Sequence, residues 1–191
     1  MTAIDLITHP SESARISVPI RTPRLQLRPF IEDDIGCLGR ILADPETTQW
    51  IGGTKTEAEA AASVLRMRDS FNSRGWGTLA VVPAGESQSV GYCGVRPLPH
   101  TQDVELAFGL LKSHWGHGFA TEASIACLDA AFAVLPLQSI VATVYPGNSR
   151  SLAVLKKLKM RQDATVFGQW PHSLALLFRV TKDEWTQRGR S

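Results

Sequence analysis

Two glycines one residue apart, Gly116-His117-Gly118, fall where a strand-like run gives way to a helix-like one. With the small Ala120 just beyond, they bare main-chain N–H groups where a helix begins. Such a terminus has unpaired donors and partial positive charge, so the chemistry it suits is the holding of a phosphate. Glu105 lies upstream on the same strand, where a carboxylate can handle a proton beside that ligand. Asn148 and Ser151 stand three residues apart at the head of a later helix, the spacing of an N-cap side chain and the N–H it receives.

The residues alone leave each of these open. A dinucleotide fingerprint needs a third glycine where Thr121 stands, and an acid after the next strand where Tyr145-Pro146 stands. A Walker loop needs Gly-Lys-Ser/Thr, which is absent. A phosphate cradle and a turn whose glycines serve geometry alone remain side by side. Glu105 can equally be an exposed strand glutamate or the partner of a nearby arginine, and Asn148 can be a cap and nothing more. His117 reads as solvent-facing in preference to phosphate-touching, and His100 and His114 have no clear partner. Trp50, Trp76 and Trp170 fit either a core or a pocket wall, with Trp76 read as core.

The elements that must position these residues follow from periodicity. Residues 1–20 are polar and weakly patterned and read as a flexible lead, with room for a short strand or helical turn. Arg24-Leu25-Gln26-Leu27-Arg28 alternates as a half-buried strand does, and Pro29 ends it. Glu32-Asp33-Asp34 opens a helix that buries Ile35, Leu38, Ile41 and Leu42 and stops at Asp44-Pro45. Trp50-Ile51-Gly52-Gly53 is a loop. Thr56 and Glu59 make a capping-box pattern for a second helix, closed by Arg74-Gly75. Strands are expected over 76–82, 89–96 and 103–110, an antiparallel meander on short loops. A helix reaching Val134, a strand over 138–145, a helix carrying Leu152, Leu155 and Leu158, strands over 164–169 and 173–180 and a polar end over 181–191 complete the chain. Only the passage 104–145 has the shape of a parallel crossover, so a mixed sheet in an α/β or α+β domain is expected.

Composition narrows the function classes. A hydrophobic fraction of 43% and a charged fraction of 20% are those of a chain that buries a real core. A net charge of +2 with scattered basic residues does not point to nucleic acid. No apolar run reaches about 18 residues, so no membrane span is expected. The first residues lack the basic and apolar regions of a signal peptide. Cys37, Cys93 and Cys127 lack metal-type spacing and read as buried free thiols of a reducing cytoplasm. No metal-ligand cluster is evident.

Trp115-Gly116-His117-Gly118-Phe119-Ala120 resembles the acyl-CoA motif of the GNAT acetyltransferase superfamily, Gln/Arg-x-x-Gly-x-Gly/Ala, with Trp115 in place of the usual Gln or Arg. That departure, with Thr121-Glu122-Ala123 following, is similar to the ribosomal-protein N-terminal acetyltransferase branch. Thr22-Pro23-Arg24-Leu25-Gln26-Leu27-Arg28-Pro29, Val104-Glu105-Leu106-Ala107-Phe108 and Asn148-Ser149-Arg150-Ser151-Leu152 resemble other segments of that branch, in the expected order. The resemblance implies a mixed, mostly antiparallel seven-stranded sheet flanked by about four helices, its fourth and fifth strands splayed. It places the domain over residues 21–186, between a lead over 1–20 and a tail over 187–191.

The resemblance also implies roles. The backbone of Phe108, Gly109 and Leu110 would pair with the pantetheine of acetyl-CoA, and the N–H groups of Trp115, Gly116, His117, Gly118, Phe119 and Ala120 would hold its pyrophosphate, with a hydroxyl added by Thr121. Glu105 would be the general base for attack by a primary amine. Ser151 would donate to the departing sulfur, and Asn148 would bond the pantetheine. Where many members carry a tyrosine four residues later, Leu155 stands, which leaves the sulfur to Ser151. Lys159-Met160 replaces the Gly-Phe that normally ends that helix. Trp50, Trp170 and His172 would line the acceptor pocket. The implied reaction needs no metal, and the implied acceptor is a protein N-terminal α-amine. A small amine such as an aminoglycoside, a non-catalytic acyl-CoA-binding module and an interaction domain without ligand are the competing readings. A homodimer through the last strands is allowed by the resemblance.

Overall fold

The computed structural model describes residues 14–167 and 174–188. Its strands are β1 Ile20–Arg21, β2 Leu25–Arg28, β3 Thr78–Pro83, β4 Gly91–Pro97, β5 Val104–Leu110, β6 Ser139–Val144, β7 Arg161–Phe167 and β8 Leu174–Thr181. Its helices are α1 Ile35–Ala43, α2 Pro45–Thr48, α3 Glu57–Arg74, α4 Phe119–Val134, α5 Ser149–Lys157 and α6 Lys182–Gln187. The strands form one sheet of eight in the order β1-β2-β3-β4-β5-β6-β8-β7. The eighth strand beyond the expected seven is the two-residue β1, so the strands expected to splay as fourth and fifth are β5 and β6.

Local chemistry accounts for most boundaries. Leu25 and Leu27 are buried on one face of β2 while Gln26 and Arg28 stay half-exposed on the other. Thr56 and Glu59 cap α3 reciprocally, and Gly75 closes it in the left-handed region. In α4, Ala123, Cys127 and Ala131 are buried at helical spacing, and their small side chains let the helix lie close on the face of the sheet formed by Cys93, Val95 and Leu106. The opposite face carries α1 and α3, packed through Leu38, Leu42, Ala60 and Val64 onto Ala80. All three cysteines are buried and free.

Several boundaries differ from the sequence reading. Asp44-Pro45 does stop α1, but it also starts α2, because proline suits the first helical position and the Asp44 carboxylate accepts from the Thr47 N–H at 2.9 Å. The boundary at residue 20 falls inside packed structure, since Ile16 is buried and its N–H donates to the Gly75 carbonyl at 2.8 Å. The residues after Thr181 are not merely polar. Thr181 caps α6, whose Trp185 is buried against Phe132 with its indole N–H on Asp129 at 2.7 Å. At the end of α5, Lys159 takes the left-handed backbone that glycine usually supplies, with φ of 57°. That costs about 1 kcal/mol, and the buried Met160 fills the place of the usual aromatic.

Truncating Trp185 removes a buried ring and leaves Asp129 without its donor. Trp185→Ala is expected to cost about 3–5 kcal/mol of unfolding free energy, measured by urea denaturation. A loss under about 1 kcal/mol would detach α6 from the core.

Candidate active site

β5 is bonded to β4 along its whole length, from Gly91↔Leu110 to Pro97↔Val104. On its other side it meets β6 in parallel at one register pair, Glu105↔Val141. Beyond that pair the two strands part, and a cleft of about 410 Å³ opens between them, running to the Gly116–Gly118 turn. The Leu111 N–H bonds the Val90 carbonyl, which sets the alternation along the β4–β5 ladder. Gly109 and Ala107 therefore turn their main-chain groups to β4, whereas Phe108 and Leu110 turn theirs into the cleft. Trp115 takes the Leu110 carbonyl with its indole N–H at 2.9 Å, so Phe108 keeps both groups free among the described residues. Gly109 serves a different purpose. The Tyr92 ring lies against it, and a Cβ there would stand 2.7 Å from that ring.

At the far end of the cleft the main chain turns into α4. Gly118 has φ of 81°, which an L side chain rarely adopts. Among the described residues, none of the N–H groups of Gly116, His117, Gly118, Phe119, Ala120 and Thr121 finds an acceptor. Trp115 is different, since its N–H already bonds the Lys112 carbonyl at 3.2 Å. The His117 side chain is exposed, and its carbonyl accepts from Arg24 at 2.9 Å. A row of bare amides at a 16-residue helix's N-terminus can hold a multiply charged anion.

The turn is tied down by a pair that sequence reading missed. Glu122 accepts from the Thr22 hydroxyl at 2.6 Å, the Arg24 N–H at 3.0 Å and the Arg24 guanidinium at 2.7 Å. Burial pushes the Glu122 carboxyl up, but the hydrogen bonds from Thr22 and Arg24 outweigh it and hold it below the usual range. The Arg24 guanidinium also sits 4.9 Å from the centre of the Phe119 ring. The only signal available was that Thr22-Pro23-Arg24 and Thr121-Glu122 both belong to the stretches that carry the resemblance.

Glu105 is buried and faces Arg96 across the β4–β5 ladder, accepting from its Nε at 3.0 Å. It lines both the β5–β6 cleft and a second cavity of about 540 Å³ under α1 and α3. The two spaces also share Trp50, Ile51, Tyr92, Arg96, Thr143 and Tyr145. Burial raises the Tyr92 phenol above its ordinary range, with Arg96 opposing and Glu105 adding to the shift. The Thr143 hydroxyl and the Tyr145 hydroxyl are buried without a partner among the described residues. Such groups want a hydrogen bond, and their position at the junction leaves them to a ligand or water.

Ser151 and Asn148 line the same cleft from α5. Asn148 is the N-cap, its side chain accepting from the Ser151 N–H at 3.1 Å, so the capping role is realised while the Ser151 hydroxyl stays available. Trp50 lies on Gly147, where a Cβ would come within 2.4 Å of the ring. Thus Glu105, Ser151, Phe108, Leu110 and Trp50 meet around one space. Trp170 and His172 lie outside the described residues. No group of three His, Cys, Asp or Glu stands close enough to hold a metal ion among the described residues, and no helix among them is long and apolar enough to cross a membrane.

Residues 24–161 match the family described as Acetyltransferase (GNAT) domain. An uncharacterized N-acetyltransferase, p20, of Bacillus licheniformis is 28% identical over 145 residues, covering 74% of this chain and 82% of the relative. The crystal structure of an acetyltransferase from Agrobacterium tumefaciens superposes with a TM-score of 0.75 at 28% identity, covering 86% of this chain and 95% of that one. The fold is also that of RimL, a ribosomal L7/L12 α-N-protein acetyltransferase in complex with coenzyme A, with a TM-score of 0.71 at 14% identity over 87% of this chain and 98% of that one.

Because the folded protein holds Glu122 ionised below its ordinary range, the contribution of this carboxylate to stability is full above the unfolded pKa and is lost as pH falls through the folded one. Glu122→Gln is expected to cost roughly 1–3 kcal/mol at neutral pH, measured by denaturant titration. The gap to the unsubstituted protein should narrow below about pH 4. A gap that is constant with pH would remove the charge from the explanation.

Proposed function

The chain belongs to the acetyltransferase (GNAT) domain family, and on that premise we propose that it moves an acetyl group from acetyl-CoA to a primary amine, with a protein N-terminal α-amine as the acceptor. The observation that carries this reading is the single cleft that joins bare amides at the start of α4 to Glu105 and Ser151. The amides from Gly116 to Thr121 fit a pyrophosphate. The free main-chain groups of Phe108 fit an amide-bearing arm laid along β5 as a substitute strand. The fold likeness to RimL supports the α-amine as acceptor.

The residues then act in order. Glu105 takes the proton that the amine must shed as its nitrogen bonds the acetyl carbon. An α-amine has a pKa near ~8 and a lysine amine near ~10.4, so both are largely protonated at neutral pH and gain from a base. Arg96 orients the carboxylate. As the carbon–sulfur bond breaks, the Ser151 hydroxyl donates to the departing thiolate. Trp50, at the junction of the two spaces, closes the acceptor side. The products are the N-acetyl amine and the free thiol of CoA: an amine that arrives protonated first releases one proton to water, Glu105 passes the proton it takes from the neutral nitrogen back to solvent, and the thiolate, held by the Ser151 hydrogen bond, takes one from solvent, so that Glu105 and Ser151 end as they began.

A second reading, CoA binding without transfer, is disfavoured by a buried carboxylate at the junction, which binding alone does not require. Thiol release from acetyl-CoA over a panel of peptides and small amines separates the two. Glu105→Gln is expected to lower kcat by about 10²–10⁴-fold, and Ser151→Ala by about tenfold, the equivalent of one hydrogen bond. CoA affinity by calorimetry should move less than about threefold in both. If neither variant changes turnover, the assigned roles are wrong.

A further inference from the structure

The cavity under α1 and α3 is rimmed by Lys55, Arg66, Arg74 and Arg96, with Glu105 as the acid facing it. Arg96 is matched by Glu105. Lys55, Arg66 and Arg74 have no carboxylate within ion-pair distance among the described residues. Among the described residues, Arg66 donates only to the Ser63 hydroxyl, at 2.7 Å, and Arg74 donates to the Ser70 hydroxyl and lies 5.9 Å from the centre of the Trp76 ring. On α3, Ser63, Arg66, Ser70 and Arg74 form one polar stripe lining the cavity, beside the buried stripe of Ala60, Val64 and Phe71. The cavity is open to solvent on this side, and beside Met67 the flank of α3 offers it hydroxyls and exposed guanidinium groups.

The unmatched charge lines the same cavity that Glu105 faces. An acceptor amine that reaches Glu105 from this side must lay the rest of its body along that rim. From this we infer that the acceptor carries an anionic group, a carboxylate or a phosphate, which Lys55 and Arg66 bind while its amine lies at Glu105. The inference rests on the acetyl-transfer reading and narrows its substrate class. Polycationic acceptors such as aminoglycosides meet like charge at the rim and are disfavoured. A carboxylate or phosphate gains charge-assisted, fork-shaped hydrogen bonds from Arg66.

The test compares matched acceptors with acetyl-CoA at saturation. The peptide arm sets Ser-Glu-Ala against Ser-Gln-Ala and Ser-Lys-Ala. The small-molecule arm sets phosphoethanolamine against ethanolamine, so the arms tell a peptide carboxylate from a small phosphorylated amine. The anionic member of at least one arm should exceed its neutral partner by about tenfold or more in kcat/KM, one decade per ~1.4 kcal/mol. That ratio should fall toward one in K55Q/R66Q and with added salt, while CoA still raises the melting temperature of the variant. Ratios near one in both arms, or preference for the lysine peptide, overturn the inference. Absence of thiol release with every amine overturns the transfer reading instead. The charge preference is then read by calorimetry from N-acetylated Ser-Glu-Ala and Ser-Gln-Ala binding to CoA-loaded protein, where equal binding or none overturns it.

Discussion

A strand that is paired on one side and abandoned on the other governs this molecule. β5 is held by β4 from end to end, so its position is not negotiable. β6 arrives in parallel through α4 and, among the described residues, pairs with β5 in register only at Glu105↔Val141. An unpaired strand edge inside a sheet is costly unless something occupies it, because buried main-chain groups need partners. The fold accepts that cost beside the bare amides that open α4. On the proposed reading, the opening of the strands and the empty amides are two parts of one requirement, a ligand with both an anionic head and an amide-bearing arm.

Bare amides hold an anion well only if they are preorganised, and this is where the Arg24–Glu122 tie matters. It fastens the entry of β2 to the first turn of α4 through three hydrogen bonds to one carboxylate, and it also holds the His117 carbonyl through Arg24. A turn that makes few contacts of its own is thereby kept in one conformation, and the ordering entropy is lost on folding and not on binding. Glu122 also sits in the first turn of α4, where a negative charge suits the helix dipole.

The sequence made the local features legible and hid the long-range ones. Alternation at Leu25 and Leu27, the Thr56–Glu59 capping box and the single parallel crossover are all encoded within short windows, and they place the sheet and the main helices. The glycines of the turn were visible for the same reason. Arg24 and Glu122 were not assigned because they meet across 98 residues of chain. Gly109 was read as a backbone donor to the ligand, while its lack of a side chain answers to Tyr92 on the neighbouring strand. α2 was hidden by a proline that both stops one helix and starts the next, and α6 by polar residues that surround one decisive tryptophan. Sequence alone allows Glu105 an unspecified arginine partner, and the structure supplies it as Arg96, with the carboxylate still facing both cavities.

The charge around Glu105 bears on which amines can react. A rim of unmatched cations raises the free energy of an ammonium group brought to the junction and so favours its neutral, nucleophilic form. Near pH 7 an α-amine with a pKa near ~8 needs only a small push of this kind, whereas a lysine amine near ~10.4 needs a far larger one. On the proposed reading, the arginines and Lys55 bind the anionic end of the acceptor and at the same time bias its amine toward the form that attacks. The residues that choose the acceptor then also help to prepare it.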